Sequence, residues 1–487
     1  MVSLCRAGCD VTKQSKHDAD LAAYRELIAA KSRYDYAAGF DCNAQWPHLF
    51  QFQSDIVRWG LRRGRAAFFE DTGLGKTRQQ VTIGNEVLAH VGNESSFLIA
   101  APLVVARQTI EEAKTFGVDV RYVRNQDEVR PGISITNYER LDAFDMSRFA
   151  GIALDESSIL KNGDGKTRNR LIESCQCVPY RAAFTATPAP NDLDELGNHA
   201  EWLGVMTLAE MRAMFFTHGG ENGETQKWVL KGHARQAFWH WVCQWAVMVR
   251  RPSDLGYSDD GYVLPPLDMR NHIIAATAEQ AKAQGKLFAE PAKGLTEQRK
   301  AKRATLDERI AMAANLANET NEQFIVWCEL NPEASAATKL INGAVEVKGN
   351  DSPEEKADRL MAFARGDIRV LVTKPKIAAM GMNFQRSHRQ IWVGATDSWE
   401  KFYQGIRRQQ RFGQQNTVRV DVISSELDGI VLGNLQRKQA DADKMADEIS
   451  AVTMQYVRAN VKSVSRNVSI YNPTKPMMIP SWLVSQP

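Results

Sequence analysis

Asp71-Thr72-Gly73-Leu74-Gly75-Lys76-Thr77 sets two glycines, a lysine and a hydroxyl side by side, directly after the apolar run 66–69 and ahead of a polar, helix-compatible stretch. Such a turn can curl its backbone N–H groups around phosphate oxygens, with the positive end of the following helix behind them. Lys76 would reach the β- and γ-phosphates and Thr77 would hold Mg²⁺. The same spacing also occurs in plain turns, so other residues have to decide. Asp155-Glu156 follows the apolar run 151–154, 79 residues beyond Lys76. A carboxylate at a strand end beside a phosphate loop can hold Mg²⁺ through water, while its neighbour orients and deprotonates an attacking water. Gln53 lies 23 residues before Lys76, and its amide can donate to and accept from an adenine edge at once. Late in the chain, Arg408 and Arg411 stand three apart and share a face if helical. Guanidinium groups brought from a second domain onto a γ-phosphate would stabilise transition-state charge and tie hydrolysis to domain closure. The bland alternatives are a solvated acidic pair and a surface Arg-Gln helix.

These groups need elements to hold them. Strand-like runs at 66–69, 97–101, 133–136, 151–154 and 181–184 alternate with helical polar stretches, which predicts a parallel sheet covered on both faces. Ligands of such sheets sit at the carboxyl ends of the strands, where Lys76, Asn137, Asp155 and Thr185 all fall. From 201 to 256 the rhythm stops. Phe238, Trp241, Val242, Trp245 and Val249 recur at helical spacing there, which reads as core rather than as a base-stacking platform. The aromatics around Trp46 to Trp59 read as core as well. A second sheet is expected from Gln323, with runs at 324–328, 344–347, 368–372, 390–393 and 418–423. The fold class is therefore α/β: two parallel-sheet lobes in tandem, with a helical N-terminal segment and a helical C-terminal extension. Boundaries are expected at 1–45 (leader and helix), 46–256 (lobe 1), 257–322 (linker and helical segment), 323–435 (lobe 2) and 436–487 (helical extension and Pro-containing tail).

The 487 residues, 44% hydrophobic and 24% charged, have the composition of a soluble globular protein of two or three domains. No run of 18 apolar residues and no signal-peptide core appears, so a cytoplasmic, non-membrane protein is expected. The seven cysteines are odd in number and scattered without zinc spacing, as free thiols are. A net charge of +3 leaves a polyanion partner open. The cluster Arg299, Lys300, Lys302 and Arg303 is either a solvated face or a nucleic-acid contact.

Taken in order, Gln53, the phosphate loop, Ala101-Pro102-Leu103, Asp155 to Asn162, Thr185-Ala186-Thr187-Pro188 with Asn191, and Gln404 to Gln414 resemble the superfamily two helicases, and within them the Swi/Snf-type DNA translocases. The resemblance implies ATP and Mg²⁺ as cofactors, with Thr72, Gly73, Leu74 and Gly75 joining Gln53, Lys76 and Thr77 around the nucleotide. It implies Thr185, Thr187 and Gln404 as residues that couple nucleotide state to a nucleic-acid track. That track would run over Arg107, Thr136, Asn137, Tyr138, Lys161, Asn162, Gly349, Asn350, Thr373, Lys374 and Asn383. It would be indifferent to base sequence, because these positions offer amides, hydroxyls and charges suited to phosphates. The implied activity is a DNA-dependent ATPase that moves along DNA, remodels forks or branched junctions, or unwinds duplex, in a compact form like those of bacteria and their viruses. The tail from Tyr471 would either lie across the body or dock replication or recombination proteins. Ser157-Ser158 departs from the family pattern, which has a small residue and a histidine there, and 373–380 keeps only part of the fifth motif. An RNA helicase, a small-molecule phosphate-loop enzyme and a passive nucleic-acid binder are the alternatives. The second would lack a second sheet bearing Arg408 and Arg411, and the third would not need Lys76, Glu156 and Arg411 intact.

Overall fold

The computed structural model describes residues 39–92, 94–161, 165–189, 192–219, 228–275, 303–378, 382–394 and 399–426, with Arg437, Met454, Arg458 and Val461 beyond them. The expected N-terminal helix, most of the basic cluster, Asn162, Asn191 and nearly all of the C-terminal extension and tail lie outside the described residues.

In chain order the strands of the first lobe are β1 (Arg65–Glu70), β2 (Ser96–Ala101), β3 (Val120–Tyr122), β4 (Gly132–Asn137), β5 (Gly151–Asp155), β6 (Tyr180–Thr185), a small hairpin of β7 (Phe216–His218) and β8 (Trp228–Leu230), and β9 (Ala246–Val249). Seven of them form one sheet in the order β3-β4-β2-β5-β6-β1-β9, and every pairing in it is parallel. Its central strands are buried nearly end to end, as strands sandwiched between helices must be. Phe68 and Phe184 face each other across β1 and β6 and stack at 4.4 Å. Each such fully buried ring contributes roughly 2–3 kcal/mol by leaving water.

The second lobe carries β10 (Leu267–Ile274), β11 (Phe324–Cys328), β12 (Ala344–Glu346), β13 (Val370–Thr373), β14 (Arg389–Val393) and β15 (Val418–Ser425), in the order β10-β15-β14-β11-β13-β12. All its pairings are parallel too. The structure thus has the two parallel-sheet lobes expected of a RecA-like tandem.

Besides the hairpin of β7 and β8, which falls in the stretch expected to be free of strands, three strands of the two large sheets depart from expectation. β9 rejoins the first sheet beside β1 within the stretch expected to be free of strands. The aromatic stripe of the helix Arg235–Trp245 is core, as expected, but Val249 belongs to the strand that follows without a loop, where helical spacing continues by coincidence. β10 opens the second sheet well before Gln323, pairing with β15 over its whole length. As an edge strand with mostly exposed and half-buried residues, it lacks the apolar run that marks the others. β3 is a three-residue edge strand, too short to show a period. The chain also returns to lobe 1 after lobe 2: Val461 is buried in the first lobe's core, and Arg458 donates to the carbonyls of Ser253 and Asp254 at 2.7 and 2.9 Å.

Candidate nucleotide site between the lobes

β1 ends at Glu70 and the helix Lys76–Val91 starts six residues on. The turn between them closes only because Gly73 and Gly75 take left-handed φ of 90° and 82°, which side chains disfavour. A Cβ on Gly75 would lie 2.3 Å from the Gln53 amide, so the glycine also lets Gln53 pack beneath the loop. Gln53 is almost fully buried. Its Nε2 donates to the Leu74 carbonyl at 2.8 Å and its Oε1 accepts from the Phe50 N–H at 2.9 Å. An amide has two donors and two acceptor positions, so one of each remains to meet a ligand in a fixed orientation. The Lys76 ammonium donates to the carbonyls of Glu70 at 2.8 Å and Asp71 at 3.0 Å.

β5 delivers Asp155 to the same end of the sheet, and its backbone carbonyl accepts from the Tyr138 hydroxyl at 2.7 Å. Burial, and then the charge of Glu156, pushes the Asp155 carboxyl up to about 6, with Lys76 opposing. Glu156 is the one described non-glycine residue at positive φ, 58°. This backbone costs about 1–3 kcal/mol, and it accompanies a side chain aimed across the lobe boundary. Arg408 of lobe 2 approaches Glu156 at 3.9 Å, and burial pushes its guanidinium down to about 10. Arg411 lies half-buried beside it, and both donate to the Met382 carbonyl at 3.3 and 3.5 Å.

A cavity of about 660 Å³ joins these groups. Its wall carries Gln53, Thr72, Gly73, Gly75, Lys76, Thr77, Asp155 and Glu156 from lobe 1 and Arg408 and Arg411 from lobe 2. Leu74 is buried under the loop. Thr185 and Thr187 are buried at the end of β6, where the Thr187 N–H donates to the Thr185 hydroxyl at 3.1 Å. Gln404 is buried as well.

The positions expected on a nucleic-acid track divide. Thr136 and Thr373 are fully buried, and their hydroxyls donate to the Val123 and Val347 carbonyls at 2.8 and 3.2 Å. Tyr138 is spent on Asp155, and Asn137 bonds Tyr122 and Glu139. Asn383 lines the cavity between the lobes. Gly349 and Asn350 are exposed and Lys161 and Lys374 half-buried. Arg107 is exposed and pairs across the lobes with Asp358 at 2.9 Å.

Three features escaped sequence reasoning. Phe50, expected in the core, is half-exposed and meets Tyr262 and Phe412 edge-on at 5.9 and 6.1 Å on the cavity wall. The polar residues one turn further on, Gln53 and Ser54, are the only hint in the sequence. His199 stands behind the acidic pair, its Nε2 3.1 Å from the Ser157 hydroxyl, and burial pushes its imidazole down to about 4. A lone histidine 42 residues away carries no motif. Asp71 reaches lobe 2 through Tyr403 and Arg407.

A mouse protein described as DNA annealing helicase and endonuclease ZRANB3 is 21% identical over 435 residues, which are 80% of this chain and 40% of that protein. Among solved structures, the Sulfolobus solfataricus SWI2/SNF2 ATPase core in complex with dsDNA matches 86% of this chain and 98% of its own at 18% identity, with a TM-score of 0.40. In sequence the chain is thus similar to a helicase. It spans well under half of the mouse relative's length. No protein-family profile matches it. Among the described residues no helix is long and apolar enough to cross a membrane.

Proposed function

We propose that the chain is a DNA-stimulated ATPase that uses lobe closure to move along DNA. The observation that carries this reading is the cavity between the lobes, where Lys76, Thr77, Asp155 and Glu156 face Arg408 and Arg411. A small-molecule enzyme needs no charged contribution from a second sheet, whereas hydrolysis coupled to movement requires one.

Phosphate oxygens would compete with the Glu70 and Asp71 carbonyls for the Lys76 ammonium, and the N–H groups of the loop would point at them. Gln53 would read an adenine edge with its remaining donor and acceptor, and Phe50 would cover the ring. Glu156 would take the proton of the attacking water, and Arg408 and Arg411 would stabilise charge on the transferred phosphoryl group. The residues fit Mg²⁺. Glu156 Oε2 is buried without a hydrogen-bond partner among the described residues, and the Asp155 carboxyl is crowded by like charge. No group of three His, Cys, Asp or Glu side chains converges there among the described residues, so Thr77 and Asp155 would hold the ion together with phosphate, as is usual for this metal. When bound it would neutralise charge developing between the phosphates.

The similarity to a DNA annealing helicase supports DNA as the polyanion. Arg107, Lys161, Gly349, Asn350 and Lys374 are the accessible candidates for its backbone, and Thr185, Thr187 and Gln404 for coupling. Fork remodelling, strand separation and docking of replication or recombination proteins are finer readings of the same engine. The test is ATP turnover by the purified chain without nucleic acid and with single-stranded DNA, duplex, forked DNA or RNA. We expect a rise of about tenfold or more with DNA and a smaller one with RNA; a rate unaffected by every cofactor overturns the proposal.

A further inference from the structure

Asp71 is the first residue of the phosphate loop, yet its side chain is held by the other lobe. Oδ1 accepts from the Tyr403 hydroxyl at 2.9 Å and Oδ2 from Arg407 Nη2 at 3.1 Å. Oδ1 also accepts from the Thr72 N–H at 2.7 Å, which ties the carboxylate to the loop backbone. Arg407 lies over the Tyr403 ring at 5.2 Å, and its N–H donates to the Tyr403 carbonyl at 3.0 Å, so the two donors form one rigid unit at the end of the helix Trp399–Ile406. The ion pair is mostly shielded, with 18% and 16% of the two side chains exposed. A charge-assisted bond at that depth is stronger than a surface pair. The next residue is Arg408, and Arg411 follows within the same turn.

We propose that Asp71, Tyr403 and Arg407 form a latch that sets the reach of Arg408 and Arg411 into the nucleotide cleft, making Asp71 and Arg407 positioning residues for hydrolysis. The chemistry is local. The Asp71 backbone carbonyl receives the Lys76 ammonium at 3.0 Å, so one residue touches both the lysine that seeks phosphate and the turn that carries the arginines. Phe412 closes the same seam from the other side: a Cβ on Gly73 would lie 2.9 Å from the Phe412 backbone nitrogen. Loop and arginine turn are therefore docked at two points, and the latch is the one with directional bonds. Phosphate binding at Lys76 and arginine placement would be coupled through the Asp71 backbone.

This inference rests on the ATPase reading, and two measurements keep the two apart. The first is steady-state ATPase with saturating DNA for the wild type, Arg407→Ala, Arg407→Lys and Tyr403→Phe. A positioning role lowers kcat about tenfold in Arg407→Ala with the KM for ATP within about twofold, restores most of it in Arg407→Lys, and leaves the melting temperature near the wild-type value. The second is small-angle X-ray scattering of the nucleotide-free chains at low and high salt, which does not depend on turnover. The wild type should expand as salt weakens the ion pair, and Arg407→Ala should be expanded at both salt concentrations. Unchanged kcat and unchanged dimensions in Arg407→Ala overturn the latch. A latch seen by scattering in a chain without DNA-stimulated turnover overturns the ATPase reading and leaves the latch standing.

Discussion

Glu70 closes β1 immediately before the phosphate loop and is fully buried. Its Oε2 accepts from the Gln79 amide at 2.7 Å, while Oε1 has no hydrogen-bond partner among the described residues. Burial pushes the carboxyl from about 4.5 up to about 7, with Lys76 and Gln79 opposing. Because the folded value lies above the unfolded one, the folded state holds the proton more tightly. Its stabilising contribution is complete below about pH 4.5 and is lost as pH rises through about 7. The loss is about 3 kcal/mol once the carboxyl is ionised. Glu70→Gln cannot ionise, so it lacks this slope, though its amide would sit where Oε1 is unpartnered and cost about 1–3 kcal/mol at every pH. The sign at any single pH is thus not the test; its pH dependence is. Urea unfolding of wild type and variant at pH 5, 6, 7 and 8 should show the variant gaining about 2.5 kcal/mol on the wild type across the series. Other titrating groups cancel in the comparison. Two stability profiles that stay parallel would mean that Glu70 ionises in the folded chain much as it does in water.

Two further substitutions separate roles that the motif alone runs together. Arg411→Ala should leave ATP affinity within a few-fold and slow hydrolysis by about 10³ or more; near-normal turnover in a single-turnover assay would remove Arg411 from the charge-stabilising role. Thr136→Val should leave DNA affinity unchanged and cost roughly 1 kcal/mol of stability, because the hydroxyl is bonded to the Val123 carbonyl inside lobe 1; a clear loss of affinity in a filter-binding titration would show that β4 reaches the DNA.

The parts of the fold that could be read from the sequence are those where burial imposes a run of one kind. β2, β5 and β11 are enclosed on both faces and read as nearly unbroken apolar stretches, and β6 and β14 keep three apolar residues in a row after a polar start. β3 and β10 lie at sheet edges, where one side is solvent and the hydrophobic run disappears. The site divides along a similar line. Gly73, Gly75, Lys76, Thr77, Asp155 and Glu156, which meet on one cavity wall, are legible because a tight turn and a strand end restrict what may stand there. Thr136, Tyr138 and Thr373 look alike in sequence whether a hydroxyl faces a phosphate or a carbonyl, and here each donates to a carbonyl.

Contacts made across the lobes are the least legible, since Asp71 and Arg407 are separated by 336 positions and neither needs a special backbone. They nonetheless bear on which step the lobes control. Arg408 is buried at an acidic residue, and a guanidinium cannot shed its proton to relieve that burial near neutral pH. Opening the lobes would leave Glu156 and Asp155 crowded with Lys76 as the compensating cation, while closing them over a phosphate would bring the Arg408 guanidinium to where charge develops. The acidic pair thus favours closure electrostatically, and the Asp71 contact decides how the arginines arrive. A chain that lost only the Asp71 contact should therefore be more open without nucleotide and still close over phosphate, but with its arginines misplaced, so that the penalty falls on turnover rather than on nucleotide affinity.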